Sequence, residues 1–153
     1  MNYKNKNAEE FIKEEYKKVK EEPIPSLGIS VGLYEDNNYF KWKIIIFAPD
    51  DSIYAGGVFE MSIRFNENFP ESKPYITFTT KIYHCNVSDD GDVDIPSLKK
   101  WNRNITMNEV LSDIFSLFYE QNPQNNFNRE LSNEYIYNRN IFEEKVKKRI
   151  LGY

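Results

Sequence analysis

The only thiol, the only histidine and a run of carboxylates fall in one short stretch of this chain. His84, Cys85 and Asn86 are consecutive, and Asp89, Asp90, Asp92 and Asp94 gather around Gly91. Each residue type suggests a chemistry, and the spacing tests it. A zinc site needs several Cys or His ligands, and a lone His84 and Cys85 do not supply them. A helix-flanked calcium loop sets carboxylates at alternate positions with a glycine at the sixth and a glutamate at the twelfth, a register this run lacks, so a solvated acidic turn is expected. Asp94 as a catalytic acid or base has neither a second carboxylate nor a positioned histidine in its support. A single cysteine is more often a small buried hydrophobe than a nucleophile. No metal and no cofactor is expected.

The stretch lies between Thr80 and Ile105, where hydrophobic periodicity fails and Asp, Asn and Gly are frequent. Long ordered loops of this kind in compact domains are commonly functional. Before it, Phe11, Ile12, Tyr16 and Val19 recur at helical spacing with Lys13, Glu14, Lys17, Lys18 and Lys20 between them, predicting an amphipathic helix over Ala8 to Val19 that closes near Pro23. The lysines are read as its solvated face. Four strands are predicted at about Ile29 to Tyr34, Tyr39 to Phe47, Val58 to Phe65 and Tyr75 to Thr79, all β-branched or aromatic and bounded by turn residues. Short links such as Asp36-Asn37-Asn38 imply an antiparallel meander. In Phe69-Pro70-Glu71-Ser72-Lys73-Pro74 the prolines remove ladder donors and break the sheet.

After the loop, Thr106-Met107-Asn108-Glu109 reads as a capping box, and Val110, Leu111, Ile114, Phe115, Leu117 and Phe118 form the wide stripe of a buried helix. That helix ends before Asn122-Pro123. Two more are predicted near Arg129 to Tyr137 and Ile141 to Leu151, the last with Phe142, Val146 and Ile150 in register. Neither repeats nor a linker interrupts the order. Helix, meander, loop and three helices make an α+β fold in a single domain over residues 1–153.

A chain of 153 residues with 16% aromatic content can bury about two-thirds of its unfolded surface. A formal charge of −4 argues against general nucleic-acid or membrane-surface binding and points to protein partners. One cysteine makes no internal disulfide, and Met1 to Asn7 has no apolar core to act as a signal peptide, so a cytosolic or nuclear location is expected. The longest apolar runs are far below the roughly 20 residues that span a bilayer.

Tyr83-His84-Cys85-Asn86-Val87, then Gly91-Asp92-Val93-Asp94-Ile95, then Trp101, resembles the active-site stretch of ubiquitin-conjugating enzymes. That stretch reads His-Pro-Asn, then Gly-x-Ile/Val-Cys-Leu, then a tryptophan. Tyr54 to Phe59 and the Phe69 to Pro74 turn extend the resemblance over nearly the whole chain. It implies the ubiquitin-conjugating fold. It also puts Cys85 in the family's proline slot and Asp94 in the slot of the catalytic cysteine. A carboxylate there would be a poor nucleophile at neutral pH and could carry ubiquitin only as a labile mixed anhydride, whereas a thiolate forms a transferable thioester.

Within the resemblance, Asn86 matches the asparagine that stabilises an oxyanion, a role preorganised donors play in general. Without a thioester its amide is expected to tie the loop to the backbone instead. His84 is structural in the motif. Glu71 and Asn102-Arg103-Asn104 stand where enzymes using RING-type ligases carry an apolar residue and Ser-Pro-Ala, and a carboxylate in place of an apolar anchor removes a hot spot and adds a desolvation cost.

The implied function is a conjugating-enzyme variant without the catalytic cysteine. It would be a binding partner of ubiquitin, or a ubiquitin-like modifier, and of an active conjugating enzyme. Chain-building variants of that type lack the last helices, which Phe127 to Tyr153 retains. The alternatives are a divergent active enzyme that uses Cys85, nine residues from Asp94, and a scaffold of the RWD type, which shares the sheet and a turn like Phe69 to Pro74.

Overall fold

A computed structural model describes residues 6–21 and 28–152. Helix α1 (Ala8–Glu21) precedes strands β1 (Ile29–Leu33), β2 (Lys41–Phe47), β3 (Val58–Arg64) and β4 (Tyr75–Phe78). Helices α2 (Pro96–Lys99), α3 (Met107–Ser116), α4 (Arg129–Tyr137) and α5 (Arg139–Leu151) follow, with a 3-10 turn at Pro123–Asn125 between α3 and α4. The expected close of α1 at Pro23 lies outside the described residues.

The sheet order is β1-β2-β3-β4, with every neighbouring pair antiparallel. This is the predicted meander, and its register follows from period-2 patterning. In β2, Trp42, Ile44 and Ile46 are fully buried while Lys43, Ile45 and Phe47 alternate on the other face. Their register partners Ile63, Met61 and Phe59 bury the same side of β3. Ile12 and Val19 of α1, Val110, Leu111 and Ile114 of α3, and Phe142 and Val146 of α5 complete one continuous core. Tyr16 meets Trp42 edge-on, with centroids 5.3 Å apart. None of the described helices is long and apolar enough to cross a membrane.

Helix α3 begins as its sequence requires. The Thr106 side chain accepts the Glu109 N–H, although the Glu109 carboxylate takes the Thr106 hydroxyl rather than its backbone N–H. The capping box is therefore half formed. Helix α2 departs from the expected irregular loop. It is a single turn with Pro96 at its start, and the Ser97 N–H is capped by the Asp113 carboxylate of α3 at 2.8 Å. One turn is too short to show helical periodicity in sequence.

Candidate functional site

The stretch from His84 to Asp94 is a small hairpin, which explains why distant residues meet. Val87 bridges Val93, Ser88 N–H bonds to Asp92 O at 2.9 Å, and Asp94 N–H bonds to Asn86 O at 2.9 Å. Asn86 and Asp94 are thus opposite one another, and their side chains lie on one face. The hairpin is fastened to β4 at Gly91. Its backbone has φ +92°, and an added Cβ would lie 2.3 Å from Phe78 O. That approach and that φ are open only to glycine. Phe78 N–H then bonds to Gly91 O at 2.8 Å.

The acidic run is divided by this geometry. Asp89 and Asp90 are exposed, Asp92 accepts from the Tyr75 hydroxyl at 2.9 Å, and Asp94 turns into a groove. Among the described residues, no three His, Cys, Asp or Glu side chains are gathered to hold a metal ion.

Asp94 is the polar centre of that groove. Its side chain is 6% exposed, and its Oδ2 accepts from Asn86 Nδ2 at 3.2 Å and from Asn125 Nδ2 at 2.9 Å. Lys99 Nζ lies 3.5 Å from Oδ1. The groove has a volume of about 530 Å³, and Ile95, Lys100, Asp113, Leu117 and Glu120 are among its walls. Asn86 is itself fully engaged. Its Oδ1 accepts Asn122 N–H at 2.8 Å, which fixes the amide orientation, and its Nδ2 also donates to Asn122 O at 3.0 Å. The amide ties the loop to the segment after α3, as expected of a turn asparagine, and it also reaches Asp94.

His84 holds the base of the hairpin. Its Nδ1 accepts Asn86 N–H at 2.9 Å, so the ring proton is on Nε2, which donates to the carbonyls of Leu117 at 2.6 Å and Glu120 at 2.9 Å. The ring stacks on Tyr54, and complete burial lowers its pKa from 6.5 to about 4. A neutral, doubly bonded imidazole does structural work here.

Cys85 faces the other way, from a turn over Cys85 and Asn86 that Val87 N–H closes onto His84 O at 3.3 Å. Its thiol is fully buried and points to Leu131 O of α4 at 3.6 Å, while its backbone N–H bonds to the Gln121 side chain at 2.8 Å. Burial pushes the thiol pKa up to about 11, so almost none is thiolate at neutral pH.

Three groups at the site had no signal in the sequence. Asn122 and Asn125 come from the turn after α3, where Asn122-Pro123 marked only a helix end. Lys99 comes from α2, whose single turn was invisible. At the Glu71 surface, Glu71 pairs with Arg103, and the Arg103 guanidinium also lies over Phe11 at 5.8 Å from its centroid. Trp101 Nε1 donates to Pro70 O at 3.0 Å, joining the two loops that carry this pair.

Comparison with known proteins places this geometry. The family model for ubiquitin-conjugating enzymes matches residues 11–150. The chain is 33% identical over 135 residues to ubiquitin-conjugating enzyme E2 14 of Schizosaccharomyces pombe, covering 87% of this chain and 85% of that protein. It is 30% identical over 158 residues to ubiquitin-conjugating enzyme E2 14 of Arabidopsis thaliana, covering 94% and 93%. It is 34% identical over 114 residues to a probable ubiquitin-conjugating enzyme of Acanthamoeba polyphaga mimivirus, covering 73% and 72%.

Proposed function

The chain belongs to the ubiquitin-conjugating enzyme family, and we propose that it is a non-catalytic member, a binding module for ubiquitin or a ubiquitin-like modifier and for an active conjugating enzyme in the cytosol or nucleus. The observation that carries this reading is Asp94. It fills the slot that the resemblance gives to the cysteine, and its carboxylate is held in the groove by two amides and a lysine. Such a group is a structural acceptor, and no thiol is present on that face of the hairpin. Cys85, the only cysteine, is buried against α4 with its thiol protonated. The Asn86 donors, which would meet an oxyanion, are spent on Asp94 and Asn122 O.

The Glu71–Arg103 pair supports the same reading from the ligase-facing side, since a charged, self-paired surface lacks the apolar anchor that typically carries binding energy. The test is affinity retention of active conjugating enzymes, ubiquitin and ubiquitin-like modifiers on the immobilised full chain. Saturable binding of at least one is expected. Retention of none sinks the reading.

A further inference from the structure

Past the end of β4 the chain parts from β3 and leaves backbone groups without partners. The N–H groups of Thr79 and Thr80 share Glu60 O, at 2.9 and 3.2 Å, and this bulge turns the chain aside. Continued outward, the Met61–Phe78 register would set Lys81 opposite Val58, but both residues instead line a cavity of about 330 Å³. In the segment that follows, Tyr83 O accepts the Tyr54 hydroxyl at 2.5 Å. Among the described residues no hydrogen bond meets the N–H or the C=O of half-buried Ile82. An added strand satisfies such a pair in either direction, because one residue supplies both bonds.

The cavity beside this segment selects side chains. Val58, Val146 and Ile150 give it apolar walls, and Lys81 and Arg149 border it with no carboxylate in the lining. Neither cation has an ion pair among the described residues. The Arg149 guanidinium lies over the Tyr83 ring, 5.4 Å from its centroid, which holds it at the cavity's edge. Asp89, Asp90 and Glu130 line the neighbouring cavity and not this one.

We propose that Lys81 to Tyr83 takes an extended segment of a partner protein as an added strand. An apolar side chain of that segment fills the cavity, and a carboxylate two residues away, on the same face by the period of a strand, meets Arg149 and Lys81. Backbone pairing supplies affinity, the apolar walls select one residue, and the two unpaired cations select the acidic one in a chain whose own charge is −4. None of these residues lines the Asp94 groove, so the site does not depend on whether the chain is catalytic.

The experiment is an NMR titration of the full chain with acetyl-Glu-Thr-Phe-Thr-Glu-amide, whose symmetry offers a glutamate for either strand direction. Saturable shifts at the amides of Lys81, Ile82 and Tyr83 are expected, with slowed hydrogen exchange at Ile82. Replacing the peptide's phenylalanine by alanine weakens binding about tenfold, and replacing both glutamates by glutamine weakens it about two- to fivefold. Arg149→Gln weakens the glutamate peptide by a similar factor and leaves the glutamine peptide unchanged. The proposal is overturned by the absence of a saturable response, by shifts confined to other surfaces, or by unchanged exchange at Ile82. It is equally overturned by an alanine or glutamine peptide that binds as tightly, or by Arg149→Gln that binds the glutamate peptide undiminished.

Discussion

The two faces of the His84–Asp94 hairpin differ more than their nine-residue separation suggests. One face points Cys85 into a buried contact with α4, where the thiol meets the Leu131 carbonyl and the Ser132 side chain. The other points Asp94 into a groove, where two amides and a lysine meet the carboxylate. The nucleophilic residue type is on the packing side, and the charged residue is on the side of the groove. Reactivity depends on environment more than on residue type, and a buried thiol with a raised pKa is a small hydrophobe. His84 joins the faces, accepting from the Asn86 backbone and donating to the end of α3.

Exchanging the chemistries of the two faces is the harshest test of this contrast. Cys85→Asp buries a carboxylate where the thiol faces the Leu131 carbonyl and is expected to destabilise the fold by about 3–5 kcal/mol, read from urea unfolding. A cost below about 1 kcal/mol would mean that the α4 side is wetter than described.

Acid attacks the joint between the faces. Unfolded, His84 binds its proton near pH 6.5, but in the folded chain only near pH 4. Between these values the unfolded chain holds more protons, so the His84 contribution to stability is intact above pH 6.5 and is lost as pH falls toward 4. The slope is up to about 1.4 kcal/mol per pH unit. Unfolding midpoints measured across this range check it, with His84→Gln flattening the dependence. An unchanged slope in that variant would assign the acid sensitivity elsewhere.

Removing the groove acceptor is milder. Asp94→Ala strands the Asn125 amide and one Asn86 donor beside open solvent, and a loss of about 1–2 kcal/mol is expected in thermal or urea unfolding. The smallest effect belongs to the surface of the Glu71–Arg103 pair. Glu71→Ala breaks an exposed pair with Arg103 and is expected to leave the unfolding midpoint unchanged within error. A clear destabilisation there would make the pair structural.

The fold was legible because it is built from strong periods. Alternation in Trp42-Lys43-Ile44-Ile45-Ile46 and the stripe from Val110 to Phe118 each admit one buried face. The site was legible only where chain neighbours define it. His84, Asn86 and Asp94 were found because one short hairpin holds them all. Asn122, Asn125 and Lys99 were missed because no local pattern says that the turn after α3 folds back onto the hairpin, or that Pro96 starts a turn of helix. The direction of Cys85 was open for a related reason. Cys85 and Asn86 are turn residues, and no local pattern says which of their side chains α4 will cover.

The central claim is that Asp94 has taken the nucleophile's place and that Cys85 has not assumed its role. Incubating the full chain with activating enzyme, ATP and ubiquitin, then resolving the products with and without thiol reductant, tests it most directly. The account predicts no reductant-sensitive ubiquitin adduct. An adduct that reductant cleaves and that Cys85→Ser abolishes would contradict it.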